Sequence, residues 1–130
     1  MTDFSSALSV AASGMRSQAE RITHVSENIA NADTPGYRRK VVSFEPMRGF
    51  DQAQGMVQTG EVRLDRRELP RIYDPGHPMA DETGHYPGSN VDMVVELSDA
   101  REAQRSYEAN LRVFDQIRQM SSSLNDLLRR

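Results

Sequence analysis

The chain has 130 residues, 16 Lys and Arg against 19 Asp and Glu, and a net charge of −3. That length fits one small domain, and a weakly acidic chain lacks the positive field of a general nucleic-acid binder. With no cysteine, disulfides, thiol catalysis and thiolate metal sites are excluded. Leu, Ile, Val and Phe supply only 26 residues, 20% of the chain, which borders on too little apolar surface to offset chain entropy. The composition therefore predicts a marginal monomer that gains order from partners. No apolar run approaches the ~20 residues of a membrane span. Met1 to Ser13 lacks the basic start and apolar stretch of a cleaved signal peptide.

Proline and glycine organise the chain. All six prolines and seven of the eight glycines, all but Gly14, lie between Pro35 and Gly88. The reading is mainly α: an N-terminal helix over 1–34, an irregular or β-rich insert over 35–88, and a C-terminal helix over 89–130. The two helices are expected to pair as a coiled coil.

The first helix shows in its spacing. Leu8, Met15, Ile22 and Ile29 recur every seven residues, as do Phe4, Ala11, Gln18 and Val25, which together form a heptad seam. Thr2 or Asp3 is placed to cap its start. The helix must stop near Thr34, because a residue before proline is pushed out of the α region. Asp33-Thr34-Pro35-Gly36 then reads as a type II turn, a sharp exit from the helix.

In the insert, 41–46 and 57–64 alternate, and Arg71-Ile72-Tyr73 reads as a third short strand ended by Asp74-Pro75-Gly76. The last helix is expected to open at Ser89-Asn90-Val91-Asp92, which has the form of a capping box. Tyr107, Phe114 and Leu128 share a stripe with Ala103, Ile117 and Leu124. Val113, Met120 and Leu127 widen it, and Leu111 is taken with the packing set. Glu102–Arg105, Glu108–Arg112, Asp115–Arg118 and Asp126–Arg130 have the spacing of surface ion pairs. A single partner helix covers only part of so wide a face, so surplus apolar area is expected to meet other subunits.

Catalytic motifs do not stand out: there is no glycine-rich phosphate loop, GxSxG or HExxH. His24 reads as a helix-face histidine. His77, His85, Asp81 and Glu82 share a loop and have metal-ligating chemistry, but loop spacing does not fix such a site. The expectation is no metal, no cofactor and no enzyme. Arg38-Arg39-Lys40 reads as a solvated turn flank rather than a phosphate contact.

The stretch Asn28 to Arg39, NIANADTPGYRR, resembles the N-terminal signature of bacterial flagellar rod, hook and hook-associated axial proteins. Ser13-Gly14-Met15 and Gln18 match too; Asp33 stands where that family usually has Asn. Ser89 to Asp92 and Ala100 to Ile117 resemble the family's C-terminal helix, and Tyr73 to Val91 resembles the linker of the proximal rod protein C type. Distal rod and hook proteins carry the same ends around a much longer middle.

The resemblance implies a structural subunit of the proximal rod, polymerising through its terminal helices into the shaft that carries torque from motor to hook. It implies export through the flagellar type III apparatus without a cleaved signal peptide, and residence in the basal body across the periplasm. The implied partners are copies of itself, proximal rod proteins B and F, distal rod protein G, hook-basal body protein E and the MS ring, with no nucleic acid and no membrane span. The implied signature turn is Asn28, Asn31, Asp33, Thr34, Pro35, Gly36 and Tyr37. The implied packing and assembly residues are Leu8, Met15, Ile22, Ile29, Tyr107, Leu111, Phe114, Ile117, Leu124 and Leu128. The alternative readings are a soluble coiled-coil adaptor or export partner, and a metal-dependent hydrolase around His77, Asp81 and His85.

Overall fold

The computed structural model describes residues 2–49 and 55–130. Two long helices, α1 (Thr2–Ala30) and α2 (Met93–Leu128), bracket six short strands: β1 (Lys40–Val41), β2 (Phe44–Pro46), β3 (Val57–Thr59), β4 (Arg63–Leu64), β5 (Arg71–Tyr73) and β6 (His85–Pro87). None of the helices described is long and apolar enough to cross a membrane.

The helices pack on each other and run antiparallel. Asn28 meets Glu96, Arg21 meets Asp99 and Glu102, and Gly14 sits against Asn110. Fourteen residues separate Gly14 from Asn28, and fourteen separate Glu96 from Asn110, so the register holds along both axes. Continued at ~1.5 Å per residue, it brings Thr2 level with residue 122, and α2 overhangs the start of α1 by about six residues.

The inward face of α2 follows the heptad expected of it. Glu96 and Ala103 are buried, and Tyr107, Asn110, Phe114, Ile117 and Ser121 are half-buried. On α1, Ala11 and Val25 are buried, with Leu8, Met15, Ile22 and Ile29 half-buried beside them. Among the described residues, Ala11, Val25 and Ala103 are the only fully buried apolar side chains, against buried Ser13, Ser17, Asn28, Ser89 and Glu96. The thin apolar content thus yields an interior fastened largely by polar groups.

Two to three strands were expected; six form, in three antiparallel pairs. Segments 41–46 and 57–64 are one interrupted ribbon. Glu45 pairs with Gln58 and Lys40 with Leu64. Between the ladders, Val42 and Ser43 face the three residues Gly60–Val62. That extra residue is a bulge, and it splits what alternation alone reads as continuous strands. Arg71–Tyr73 is a strand as expected, but its partner, His85–Pro87, lies in a segment read as linker. Its proline and flanking glycines concealed it, and as one edge of a two-stranded ribbon it tolerates a proline.

The helix boundaries also need correction. Thr2 and Asp3 fall inside the first turn of α1 and so do not cap it; Met1 lies outside the described residues. Helix α2 opens at Met93 rather than Ser89. Its N-cap is Asp92, whose side chain accepts from Val94 N at 3.0 Å, while Ser89 is drawn to the end of α1. The expected surface pairs on α2 do not close within 4 Å among the described residues; Glu102 reaches across to Arg21 instead.

Candidate functional site

The turn that ends α1 is clasped to the segment that opens α2. Tyr37 N donates to Thr34 O at 3.2 Å, and Gly36 has φ +75°. Those are the hydrogen bond and left-handed third residue of a type II turn. It runs over Thr34–Tyr37 and so lies one residue later than the expected Asp33–Gly36, because proline belongs at its second position and glycine at its third. Gly36 N then reaches the carbonyls of Pro87 and Gly88 at 3.1 and 3.2 Å, and Asn90 N reaches Tyr37 O at 3.4 Å. Ser89 Oγ donates to Ala32 O. Asn90 Oδ1 accepts from Arg39 N at 2.7 Å, while its Nδ2 donates to Asp65 O at 3.0 Å.

Behind the clasp lies Asn28, 1% exposed. Its Nδ2 donates to Lys40 O at 3.0 Å and to Glu96 Oε2 at 3.3 Å. Its Oδ1 accepts from Lys40 N at 2.9 Å and Tyr37 OH at 2.8 Å. Both donors and both acceptor positions of the amide are used. Toward Lys40 the side chain acts as a peptide group would, pairing with both backbone polar groups of the first residue of β1. Burial pushes the Tyr37 hydroxyl above its ordinary pKa.

The three consecutive cations after the turn are not a solvated flank. Arg38 Nη1 donates to the carbonyls of Asp65 and Arg67 at 3.1 and 3.0 Å. Arg39 bonds Glu96 through Nε and Asp99 through Nη2, the latter at 2.8 Å. Lys40 Nζ lies 2.5 Å from Glu27 Oε2; that hydrogen bond raises the pKa of the lysine and lowers that of the glutamate. Glu96, wholly buried, is thereby held between Arg39 and Asn28.

The other signature residues serve the same turn. Asn31 Nδ2 donates to Glu27 O at 2.8 Å, and Thr34 Oγ1 to Asn31 Oδ1 at 3.1 Å, which closes the C-terminus of α1. Pro35 is half-buried and Asp33 exposed.

A second attachment fixes the ribbon to α1. Ser13 Oγ accepts from Val57 N at 3.2 Å, and Ser17 Oγ donates to Val57 O at 3.4 Å. Two serines one turn apart thus satisfy both outward polar groups of a strand residue. Thr59 Oγ1 bonds Glu20 one turn further on, and Arg21 lies over the Phe44 ring, 6.0 Å from its centroid.

The histidine loop is knitted to itself. Asp81 Oδ1 accepts from Thr83 N at 2.9 Å, Thr83 Oγ1 at 2.6 Å and His85 N at 3.1 Å, and Arg71 pairs with Oδ2. With the Thr83 hydroxyl as the leading cause, the Asp81 carboxyl is lowered to about 2. The His77 ring stacks on Tyr86 at 3.9 Å, and its Nδ1 accepts from Met79 N at 3.1 Å. Among the described residues no group of three or more His, Asp or Glu is placed to hold a metal ion.

Both ends of this clasp carry family patterns. Residues 8–38 match the family model of the flagella basal body rod protein, and residues 82–127 match that of the C-terminal part of flagellar basal body rod FlgEFG proteins. A flagellar basal-body rod protein FlgC from Agrobacterium fabrum is 43% identical over 99% of this chain and 98% of its own. The FlgC of Aquifex aeolicus is 38% identical over 88% and 89%, and that of Salmonella typhimurium 33% over 85% and 87%. The chain belongs to the FlgC family of flagellar basal-body rod proteins.

Within this rod-protein chain the signature residues Asn28, Asn31, Thr34, Gly36 and Tyr37 gather at one junction, and both matched segments meet there. Arg39, Ser89, Asn90 and Glu96 join them, though sequence reading gave them no role at the junction. A signal for Glu96 existed: it stands seven residues before Ala103 on the inward heptad, where a carboxylate requires a buried cation. The packing set divides. Leu8, Met15, Ile22, Ile29, Tyr107, Phe114 and Ile117 are half-buried, while Leu111, Leu124 and Leu128 are exposed.

Proposed function

We propose that this chain is a structural subunit of the proximal flagellar rod, with its paired terminal helices, packed as an antiparallel coiled coil, as the unit of assembly. Helices 1–34 and 89–130 form the helical core, and 35–88 is the outer insert and linker. The observation that carries the reading is the junction itself. The signature turn does no chemistry; it locks the end of α1 to the start of α2 and sets the angle at which the insert leaves them. A torque-bearing subunit needs that rigidity.

The faces of α2 that α1 leaves uncovered support polymerisation. Val113, Met120, Leu127 and Leu128 are exposed, and apolar area of that kind on a rod protein is suited to neighbouring subunits. Proximal rod proteins B and F, distal rod protein G, hook-basal body protein E and the MS ring are the expected neighbours. Export through the flagellar type III apparatus, without a cleaved signal peptide, would deliver the chain to the periplasmic rod. A thin apolar core favours threading an unfolded chain and recovering order on assembly.

The test is incorporation. In a flagellated host lacking its own FlgC, this chain should restore motility and co-sediment with isolated basal bodies. Secretion without incorporation would overturn the rod reading in favour of an export partner.

A further inference from the structure

An open cleft of about 670 Å³ in the insert is lined by Arg38, Arg63, Leu64 and Arg66. Nearby cations are neutralised inside the chain: Arg39 by Glu96 and Asp99, Lys40 by Glu27, Arg67 by Asp65, Arg71 by Asp81. The three cleft arginines are not. Among the described residues no carboxylate lies within 4 Å of any of them, and Arg38 is held in place by two carbonyls. Three arginines thus line one cavity with an exposed leucine among them. Like charges so placed favour an external anion, and Leu64 favours a ligand with apolar surface over a bare inorganic anion.

Helix α2 carries the complementary pattern. Glu108, Leu111 and Asp115 stand at i, i+3 and i+7, one stripe of the helix, and all three are exposed. Neither carboxylate has a cation within 4 Å among the described residues, although Arg112 and Arg118 have the sequence spacing for it. We propose that the Arg38–Arg63–Arg66 cleft of one copy receives the Glu108–Leu111–Asp115 face of a second copy. This rests on the rod reading and names one contact by which it is built.

The contact cannot form within one chain. The cleft is tied to the start of α2, since Asn90 holds the carbonyl of Asp65. Asp115 lies 22 residues past Met93, about 33 Å along the helix axis. Cleft and face are different surfaces, so a copy that has offered one can still offer the other, and the union can propagate from copy to copy.

The lack of cysteine makes the test direct. Arg66→Cys and Asp115→Cys are introduced together in the full chain, which is expressed in a host lacking FlgC, and basal bodies are treated with a short bismaleimide. Covalent dimers and higher multimers are expected from the double variant and not from either single variant. Separately, Arg66→Glu and Asp115→Arg should each lower incorporation by about tenfold and restore it when combined, as charge exchange at one interface requires. If the unsubstituted chain enters basal bodies but the double-cysteine variant yields no multimers, or the charge exchange does not rescue, the contact is wrong and the rod reading stands. That outcome would assign the cleft to a different subunit or to an anionic polymer. If the unsubstituted chain is absent from basal bodies, the rod reading and this contact both fall.

Discussion

Asn28 Nδ2 donates to Glu96 Oε2 at 3.3 Å, a buried contact between residues 68 apart in sequence that joins the last full turn of α1 to the first turns of α2. Both side chains are almost sealed from water, and each also serves the segment between the helices, Asn28 through Lys40 and Tyr37, Glu96 through Arg39. Glu96→Ala would strand one side of Arg39 and one donor of Asn28 in the interior. Loss of one partner of a buried ion pair costs about 3–5 kcal/mol, and the low end applies because Asp99 still holds Arg39. Glu96→Gln keeps the shape and should cost less, about 1–2 kcal/mol. Denaturant unfolding of the two variants checks the order; equal losses would mean that the charge alone, and not the shape, carries the contact.

Gly36 is the turn residue that a side chain should disturb through backbone alone. Its φ is +75°, yet a Cβ built there would meet nothing within 4 Å among the described residues. Gly36→Val should therefore strain the turn by about 1–3 kcal/mol with no clash to relieve. Gly36→Asn should be milder, because Asn tolerates the left-handed region. Motility and rod incorporation should fall in the order Asn, then Val. Normal incorporation of the valine variant would show that the turn is not held left-handed in the rod.

Much of this arrangement is legible in the sequence, and the reasons differ by element. Heptads at Leu8–Ile29 and Ala103–Ile117 identify the paired faces, because helix periodicity survives whatever packs against it. Pro35-Gly36 identifies the turn, because only a few residues suit those dihedrals. The bulge opposite Val42-Ser43 and the strand His85–Pro87 are not legible, since both depend on pairing across distant segments. The junction is half legible. Asn28 stands in a recognisable motif, but its partners Lys40 and Glu96 are fixed only when the helices meet. Arg38-Arg39-Lys40 misleads for the same reason: a run of cations looks solvated until Asp99, Glu96 and Glu27 converge on two of its three members.

Gly14 marks a close approach of the helices. A Cβ there would lie 2.9 Å from Asn110 Nδ2. Gly14→Ala gains about 1 kcal/mol of helix propensity, and the Asn110 amide end can rotate away, so the net change should be within about 1 kcal/mol. Gly14→Val has no such escape and should cost about 1–3 kcal/mol through overpacking. Asn110→Ala should recover most of that loss. A double-mutant cycle measures the coupling; independent effects of the two substitutions would place Asn110 away from Gly14.

Asp81 predicts an acid-sensitive loop. Its folded pKa of about 2 lies below the ordinary aspartate value of 3.8, so the folded loop favours the ionised carboxylate. Its contribution is present above the unfolded pKa, falls as pH drops below about 4, and is gone once pH passes below about 2. The NMR titration of the Asp81 carboxyl carbon should therefore show a midpoint near 2. Removing the hydroxyl that leads this shift, with Thr83→Val, should move the midpoint upward. A midpoint near 4 in the unsubstituted protein would mean the Thr83 and His85 bonds are not formed in solution.

Phe114 and Leu128 occupy the same heptad stripe, fourteen residues apart, but they meet different surroundings. Phe114 is half-buried, level with the part of α2 that α1 accompanies, whereas Leu128 is 72% exposed on the overhang beyond it. Phe114→Ala should therefore act twice. Within one chain it removes part of a ring's burial, about 1–2 kcal/mol on the usual scale for an apolar side chain. If neighbouring subunits cover the other half of the ring in the assembled rod, the loss there should approach the ~3–5 kcal/mol of a fully buried phenylalanine. Leu128→Gln should act once. The single chain has no packing to lose there, so its unfolding midpoint should stay within about 0.5 kcal/mol of the parent, while incorporation into basal bodies falls. Measuring both variants in solution and in isolated basal bodies separates the two surfaces. If Leu128→Gln incorporates normally, the overhang is not an assembly surface. If Phe114→Ala leaves solution stability unchanged, α1 and α2 do not pair until the rod is built.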